Sequence, residues 1–331
     1  MATTTEVGIL GAGAWGTALA TVAARNNHRV VLWDINPIIA SSINDIHKHP
    51  FALPNVALSP LIRGTSHIEE VGNCPLILGV VPAQLMRSGL TQLAEHLQSP
   101  PSLALCAKGI EKNTGRLMTD VLEETIPGTR AVVLSGPTFA GEVALGLPTA
   151  ITLAAKDSSD ASYVAKIIGG PKFRTYVSDD PIGAQVAGAT NNVLAIACGI
   201  AEGKSLGQNA IAAIITRGIA EIGRLTTALG GSAESMMELA GVGDVVLTCT
   251  SSQSRNFSFG CHVGREQTPI SALINSSGTV EGFGTAASIA SLSQRLQIDM
   301  PIMQAVAQVL HQGANIDNTI SSLLARSSNG T

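Results

Sequence analysis

The sequence carries little charge. Only 13% of its 331 residues are Asp, Glu, Lys or Arg, and the net charge is −4. No basic cluster is long enough to hold a nucleic acid, so a polyanionic partner is not expected. No apolar run reaches the about 20 residues that span a bilayer, and the opening stretch MATTTEVGIL lacks the positive segment of a secretory signal. These absences predict a cytoplasmic protein with no membrane span.

Patterns that would bind a metal or form disulfides are also missing. The five cysteines show no Cys-x-x-Cys spacing and lie mostly in apolar company; they are Cys74, Cys106, Cys198, Cys249 and Cys261. Small buried thiols are therefore expected rather than disulfides or zinc ligands. The seven histidines have no ligand spacing either, and His47 and His49 lie close together in a polar loop. We predict no metal site.

A glycine-rich stretch near the start of the chain is the clearest motif present. Residues 6–20 read EVGILGAGAWGTALA, an apolar strand, a turn with Gly11, Gly13 and Gly16, and small residues at helical spacing. At such a helix start the backbone N–H groups and the positive end of the helix dipole favour an anion, and glycine lets a pyrophosphate come close. The pattern predicts a dinucleotide site.

The context of the glycine loop strengthens that interpretation. A second apolar run, Arg29 to Trp33, follows after a helix-length gap and ends in Asp34, which lies 18 positions beyond Gly16. An acid at the tip of the second strand of such a unit meets the adenosine ribose hydroxyls. It also repels a 2′-phosphate, so we expect NAD as the cofactor and NADH to be preferred over NADPH.

The alternation of elements predicts two domains. Strand and helix patterns alternate as far as residue 180, and long apolar-periodic helices follow from residue 181. We predict an α/β fold, with a Rossmann-like doubly wound sheet in residues 1–180 that binds the dinucleotide. An all-helical substrate-binding domain is expected in residues 181–331.

Ligands of open parallel sheets bind beyond the carboxyl ends of the strands. This rule selects the glycine loop, Asp34, Pro82, Lys108 and Gly136. Lys108 is a cation directly after a strand and beside a glycine, so its ammonium group can reach a bound anion or a carbonyl oxygen. An ordinary surface lysine would be the simpler interpretation without that placement.

Two segments of the helical half carry further chemistry. Asp244 stands inside the glycine-flanked apolar run GVGDVVLT, where a carboxylate is costly unless it is paired or used. Ser254, Arg255 and Asn256 place a guanidinium between two hydrogen-bonding side chains, and the planar guanidinium matches phosphate oxygens. Such a tripeptide is common in loops, but beside a nucleotide fold it indicates a small phosphorylated substrate.

Seven segments, taken in order, resemble those of one enzyme family. They are GAGAWGTALA, AKGIE, SGPTFAGEVALGLPTA, GATNNVLAIACGIAEG, NAIAAIITRGIAEIGRL, GVGDVVLTCTSSQSRNFSFG and TVEGFGT. Through them the chain is similar to the bacterial NAD(P)-dependent glycerol-3-phosphate dehydrogenases over nearly its whole length. The resemblance implies interconversion of dihydroxyacetone phosphate and sn-glycerol 3-phosphate, a role in phospholipid synthesis, and a homodimer.

The resemblance also implies roles for individual residues. Lys108 would contact both substrate and cofactor, and Asp244 would act in substrate binding and catalysis. Further cofactor contacts would be Ala14, Trp15, Ala140, Arg255, Thr279 and Glu281. Further substrate contacts would be Gly136, Thr138, Asn192, Thr248, Ser254, Arg255 and Asn256.

Asn191 departs from the family pattern. The family typically has a lysine here that acts as its general acid/base, whereas an amide donates a hydrogen bond but delivers no proton. Lys204 lies 13 positions further on, a rise of about 20 Å along a helix, and is too distant to substitute. Lys108 is the better surrogate. Either the chain is a dehydrogenase with an impaired proton transfer step, or it works with Lys108 or a water molecule as the acid.

Two other functions stay open at this point. The chain could be a dehydrogenase of another phosphorylated or carboxylated hydroxy compound, because fold does not determine substrate. It could also be a cofactor-binding sensor or pseudoenzyme, a possibility raised by Asn191. A panel of substrates tested with NADH distinguishes the three.

Overall fold

The computed structural model describes residues 4–265, 268–274, 276 and 278–326. The chain divides into two compact units, one formed by Met1–Lys108 with Arg116–Gln185 and the other by Gly109–Gly115 with Val186–Thr331. The second unit thus includes a short segment from the first half of the sequence. The domain boundary between residues 180 and 181 stays a prediction.

An eight-stranded sheet forms the centre of the first unit. Its strands are β1 Glu6–Leu10, β2 Arg29–Trp33, β3 Ile62–Thr65, β4 Leu76–Gly79, β5 Ser102–Leu105, β6 Arg130–Ser135, β7 Thr149–Ala154 and β8 Phe173–Ser178. Their order is β3-β2-β1-β4-β5-β6-β7-β8. All neighbours are parallel except β6 and β7, an antiparallel pair that the alternating pattern did not predict.

Among the described residues, seven helices accompany the sheet. They are α1 Ala14–Arg25, α2 Pro37–Ile46, α3 Ile68–Gly72, α4 Ala83–Ala94, α5 Met118–Thr125, α6 Ala140–Leu145 and α7 Ser158–Ile168. Along β4, Leu76 and Leu78 pack into one buried cluster and Ile77 into another. Because successive strand residues point to opposite faces, apolar cores cover both sides of the sheet. The predicted doubly wound α/β fold is confirmed.

The order of the strands reverses beside β1. Leu10 at the end of β1 lies opposite Trp33 of β2 on one side and Gly79 of β4 on the other. The carboxyl ends of these three strands are therefore level at one edge of the sheet. This is the edge where open α/β sheets bind their ligands.

The second unit is helical, and the structure shows no strand among its described residues. Its α-helices are α8 Pro181–Gly203, which begins in the first unit, then α9 Gln208–Ala228, α10 Asp244–Thr250, α11 Arg255–Gly264, α12 Pro269–Ile274, α13 Glu281–Arg295, α14 Pro301–His311 and α15 Ile316–Leu324. Among the described helices, α8 alone is long and apolar enough to cross a membrane by length and composition. However, 94% of its most apolar window is buried inside the protein, as in the core helix of a globular fold.

Glycines set the distance between α8 and α11. A Cβ atom built on Gly199 would lie 2.1 Å from the carbonyl oxygen of Phe257, and one on Gly260 would lie 2.3 Å from that of Ile196. No larger residue fits at either position without moving a backbone. The close approach brings the side chains of α8 against those of α11 over several turns.

Glu221 links two helices of this unit. Its side chain on α9 is 1% exposed and accepts hydrogen bonds from the backbone N–H groups of Ile302, at 2.9 Å, and Met303, at 3.2 Å, in the first turn of α14. Burial raises the pKa of this carboxyl group to about 7, although the two backbone hydrogen bonds favour its charged form. Its titration should therefore be visible in the stability of the fold.

We expect Glu221 to make the protein less stable as pH rises. Between its ordinary pKa of 4.5 and the folded value of about 7, the folded state holds the proton more strongly. The free energy of unfolding must then fall with rising pH in that window. Urea unfolding of the wild type and of Glu221→Gln at pH 5, 6, 7 and 8 measures this. The stability difference, wild type minus variant, should decrease by roughly 2 kcal/mol. A difference independent of pH would contradict the expectation.

Candidate functional site in the two units

The glycine loop begins directly after β1. Gly11 has a φ of +118°, and a Cβ on Gly16 would lie 1.9 Å from the carbonyl oxygen of Gly11. Both positions therefore require glycine if the loop is to turn and return to the sheet. Beyond the loop, α1 starts at Ala14 with Trp15 in its first turn.

The start of α1 fits a phosphate group. Gly13 is its N-cap, no side chain caps the helix, and the first turn holds no acidic residue. A Cβ on Gly13 would meet nothing within 4 Å, so the space above the backbone is open. The uncapped N–H groups, the helix dipole and this space are the features that accept a pyrophosphate.

Asp34 and Pro82 flank the loop at the same edge of the sheet. Asp34 follows β2, and its Oδ1 accepts a hydrogen bond from the N–H of Asn36 at 3.0 Å. Pro82 directly precedes α4. The segment before it lies against the end of β1 and the start of the loop: the N–H of Val80 donates to the carbonyl of Leu10 at 2.9 Å, and a Cβ on Gly11 would lie 2.9 Å from the backbone nitrogen of Val81. The sequence-predicted residues thus converge at the ends of β1, β2 and β4.

Lys108 follows β5 and Gly136 follows β6, so both lie near the carboxyl ends of two paired strands. The Nζ of Lys108 donates to the carbonyl oxygen of Gly136 at 3.1 Å, and the hydroxyl of Thr138 donates to the same oxygen at 3.3 Å. Gly136 has a φ of +153°, and a Cβ there would lie 3.0 Å from the Cα of Ile151. Ala140 opens α6 immediately after this turn. The structure therefore brings Lys108, Gly136 and Thr138 together at one carbonyl group, and Ala140 follows them at the start of α6.

His49 is a residue that the sequence interpretation missed. It lies in the loop after α2 and contacts the carbonyl oxygen of Ala12, inside the glycine loop, at 2.6 Å. The two residues are 37 positions apart, so no local pattern could have indicated the contact. Burial lowers the pKa of this histidine.

The second unit holds a network of two asparagines. The Nδ2 of Asn256 on α11 donates to the Oδ1 of Asn192 on α8 at 2.7 Å. The Oδ1 of Asn256 accepts from the N–H of Gly282 in the first turn of α13 at 3.0 Å. A Cβ on Gly282 would lie 2.7 Å from the carbonyl oxygen of Asn192, so these three helices meet closely. The amides of Asn192 and Asn256 thus use much of their hydrogen bonding to join α8, α11 and α13.

Arg255 lies at the start of α11. Ser254 is the N-cap of this helix, and its hydroxyl oxygen accepts from the N–H of Phe257 at 3.3 Å and lies 2.9 Å from the hydroxyl of Thr248. A Cβ on Gly278 would lie 2.7 Å from Nη1 of Arg255. The guanidinium is therefore close to Gly278, the residue that precedes Thr279 in the sequence.

Asp244 is the first residue of α10 and is buried. The preceding turn is irregular at Gly241, where the backbone has a φ of −90° and a ψ of −109°. Since Asp244 and Thr248 are four residues apart in one helix, both side chains lie on the same face. Glu281, the remaining predicted residue, opens α13. The predicted residues of this unit thus cluster on α8, α10, α11 and the start of α13.

Asn191 has an unusual environment. Its side chain on α8 is 1% exposed, and neither atom of its amide group has a hydrogen-bond partner among the described residues. The neighbouring hydroxyl of Thr190 also has no partner there. A buried polar atom without a partner costs about 1–3 kcal/mol. This amide stands at the position where the family resemblance implies a catalytic lysine.

The cysteines are outside this chemistry. All five are free and buried, and burial raises the pKa of the Cys74 thiol to about 12. The prediction of buried thiols is confirmed. Among the described residues, no group of three or more His, Cys, Asp or Glu side chains could hold a metal ion.

Comparison with known proteins identifies the family. A model of the NAD-dependent glycerol-3-phosphate dehydrogenase N-terminus matches residues 6–161, and a model of the C-terminus matches residues 180–321. Glycerol-3-phosphate dehydrogenase (NAD(P)+) of Caulobacter vibrioides is 46% identical over 321 residues, which cover 97% of each chain. The enzyme of the same name from Parvibaculum lavamentivorans is 44% identical over 97% of this chain and 96% of its own.

A solved structure agrees with the sequence comparison. The crystal structure of glycerol-3-phosphate dehydrogenase from Coxiella burnetii superimposes with a TM-score of 0.94 at 35% identity, covering 98% of this chain and 99% of the other. The predicted family is therefore confirmed over nearly the whole length. This chain belongs to the NAD-dependent glycerol-3-phosphate dehydrogenases.

Proposed function

We propose that the chain is an oxidoreductase that interconverts dihydroxyacetone phosphate and sn-glycerol 3-phosphate with NAD(H). The observation that carries the assignment of the site is a set of buried polar side chains in a largely apolar helical unit. They are Asn191, Asn192, Asp244, Thr248, Ser254 and Asn256, each 9% exposed or less. Buried polar groups are costly unless they are paired or used, and the family has a substrate for them to bind.

The cofactor would lie on the glycine loop. When bound, NAD(H) supplies or accepts the hydride. Gly11, Gly13 and Gly16 let the pyrophosphate approach the start of α1, whose N–H groups and dipole stabilise its charge. The adenosine ribose would bind Asp34. Pro82, Lys108 and Ala140 would line the remainder of the cofactor site. The family resemblance also implies cofactor contacts for Arg255, Thr279 and Glu281.

Arg255 would bind the substrate phosphate. Its guanidinium offers two parallel donors to phosphate oxygens, and it belongs to the first turn of α11, where the helix dipole also favours an anion. The hydroxyl of Ser254 and the amide of Asn256 would add directional hydrogen bonds. The family resemblance also implies substrate contacts for Gly136 and Thr138.

The proton transfer step is the weak part of the site. Hydride addition to the carbonyl carbon of dihydroxyacetone phosphate leaves an alkoxide oxygen that must gain a proton. The Asn191 amide can donate a hydrogen bond to that oxygen but cannot protonate it. The family resemblance implies that Lys108 also contacts the substrate, so its ammonium group is the proposed surrogate acid, and Asp244 would orient the substrate hydroxyl group. We therefore propose an enzyme with a slow chemical step.

An assay of NADH absorbance tests the proposed function. Purified chain at high concentration is mixed with NADH and dihydroxyacetone phosphate, and separately with other phosphorylated and carboxylated carbonyl compounds. Slow oxidation with dihydroxyacetone phosphate alone supports the proposal. Faster turnover of another compound would favour a related dehydrogenase, and NADH binding without oxidation of any compound would favour a sensor.

NADH should bind more tightly than NADPH because of Asp34. Its carboxylate accepts hydrogen bonds from the 2′-hydroxyl of NADH and repels the 2′-phosphate of NADPH. Fluorescence titration should give a lower Kd for NADH than for NADPH in the wild type. The ratio of the NADPH Kd to the NADH Kd should decrease about tenfold or more in Asp34→Ser. Tighter binding of NADPH by the wild type would contradict this role.

The cellular role follows from the proposed reaction. Glycerol 3-phosphate made by the chain would supply phospholipid synthesis in the cytoplasm. The chain would act as a homodimer, and it would need neither a nucleic acid nor a membrane span for catalysis.

A further inference from the structure

His49 has a hydrogen-bond arrangement that determines its tautomer. The ring is 4% exposed, and its Nδ1 accepts from the backbone N–H groups of Phe51 at 3.1 Å and Ala52 at 2.8 Å. A nitrogen that accepts two hydrogen bonds carries no proton. The ring proton is therefore on Nε2, which donates to the carbonyl oxygen of Ala12 at 2.6 Å.

The neutral form of His49 suits this arrangement. Burial lowers its pKa, against the opposing effects of the hydrogen bond to Ala12 and the charge of Asp34. A protonated ring would turn a donor toward the N–H groups of Phe51 and Ala52. His49 is thus neutral at neutral pH when its Nε2–H donates to the Ala12 carbonyl.

The Ala12 carbonyl determines the direction of the next N–H group. The hydroxyl of Thr17 also donates to this oxygen, at 3.3 Å, so two side chains hold it. No described peptide bond is cis, and in a planar trans peptide the C=O and N–H bonds point to opposite sides. Holding the Ala12 carbonyl against His49 therefore turns the N–H group of Gly13 the other way. A Cβ built on Gly13 would meet nothing within 4 Å, so the space beside this residue is open.

We propose that His49 is a positioning residue for the cofactor, which aims the Gly13 N–H group at the pyrophosphate by holding the Ala12 carbonyl. The inference rests on the proposed binding of the dinucleotide to the glycine loop. His49 itself touches neither substrate nor cofactor in this arrangement. It contacts the carbonyl side of the Ala12–Gly13 peptide group, and the pyrophosphate would bind on the N–H side.

Substitution by asparagine separates the two contacts of His49. The Oδ1 of an asparagine can accept from the N–H groups two and three residues on, as Nδ1 does, but the side chain is too short to reach Ala12. The probes are NADH and ADP-ribose, which contain a pyrophosphate, and adenosine, which does not. We expect His49→Asn to weaken NADH and ADP-ribose binding about tenfold, because the Gly13 N–H group would lose its hydrogen bond to the charged pyrophosphate. Adenosine affinity should stay within about twofold.

His28 provides a matched control in the same unit. It is 5% exposed, and its Nδ1 accepts from the N–H of Thr5 at 3.0 Å. His28→Asn should lower thermal stability comparably and leave the affinities for NADH and ADP-ribose unchanged. Equal weakening by both variants, or an equal loss of adenosine and ADP-ribose affinity in His49→Asn, would overturn the positioning role.

Two further results are distinguishable. Wild-type affinity for ADP-ribose in a folded His49→Asn would overturn this inference alone, whereas a wild type that does not bind NADH would overturn the proposed function. Long-range ¹⁵N correlation spectra of the wild-type histidines test the geometry even where the variant does not fold. The proposal requires the Nε2–H tautomer for His49, and the Nδ1–H tautomer would overturn it.

Discussion

Replacing Asn191 with lysine should raise kcat about a hundredfold or more. A positioned group that transfers a proton in the transition state contributes about 10²- to 10⁴-fold, and the amide of Asn191 cannot supply this contribution. The lysine would stand at the position where the family places its general acid/base. Steady-state oxidation of NADH with saturating dihydroxyacetone phosphate measures the change.

The environment of Asn191 explains why binding should change less than turnover. Its amide has no hydrogen-bond partner among the described residues, so replacing it breaks no hydrogen bond with them. The affinity for NADH should therefore stay within about threefold of the wild type, as expected for a substitution that changes the chemical step alone. A kcat that rises while Kd is unchanged would locate the defect in proton transfer.

Asn191→Met is the control for this experiment. Methionine has nearly the length of lysine and fills the same space, but it has no proton to donate. It should leave kcat at or below the wild-type value. Equal rates for the lysine variant and the wild type would exclude the proposed role of this position, and Lys108 or a water molecule would then be the acid.

Gly16→Ala should abolish detectable NADH binding and destabilise the first unit. The new Cβ would lie 1.9 Å from the carbonyl oxygen of Gly11, a backbone atom that cannot move aside without opening the loop. Forced overpacking of this kind costs about 1–3 kcal/mol or more. Fluorescence titration with NADH and thermal unfolding measure the two effects together.

Gly13→Ala separates binding from stability. Its backbone, with a φ of −66° and a ψ of −176°, suits alanine, and the Cβ would meet nothing within 4 Å. Stability should therefore change by less than about 1 kcal/mol. NADH affinity should still fall about tenfold or more, because the methyl group occupies the space proposed for the pyrophosphate. Unchanged affinity would place the cofactor elsewhere.

Much of the first unit could be predicted because its signals are local. The glycine spacing after an apolar strand, and the acid at the end of the next strand, require only residues close in sequence. β3 and α3 were missed because Ile62–Thr65 is a four-residue strand with one exposed position and α3 has five residues. The strand β7 was predicted, but its antiparallel direction was not, since strand direction depends on where the chain crosses the sheet.

The candidate site of the second unit was predicted as a set of residues but not as an arrangement. The motifs around Asp244 and Arg255 were visible, and the family resemblance completed the set. That Asn192 and Asn256 bond to each other across 64 positions was not predictable, because it depends on the glycines that let α8 and α11 approach. The same holds for Glu221 and the start of α14, which are 81 positions apart.

By itself, the sequence determined the class of fold, the glycine loop, the acid at Asp34, the family, and the asparagine at position 191, where the resemblance implies a lysine. These features depend on short-range spacing and on residue identity, which can be read without coordinates. The tertiary structure alone decided which side chains brace the site. The contact of His49 with Ala12, the asparagine network and the unpartnered amide of Asn191 arise from long-range packing, where the position of each group depends on all its neighbours.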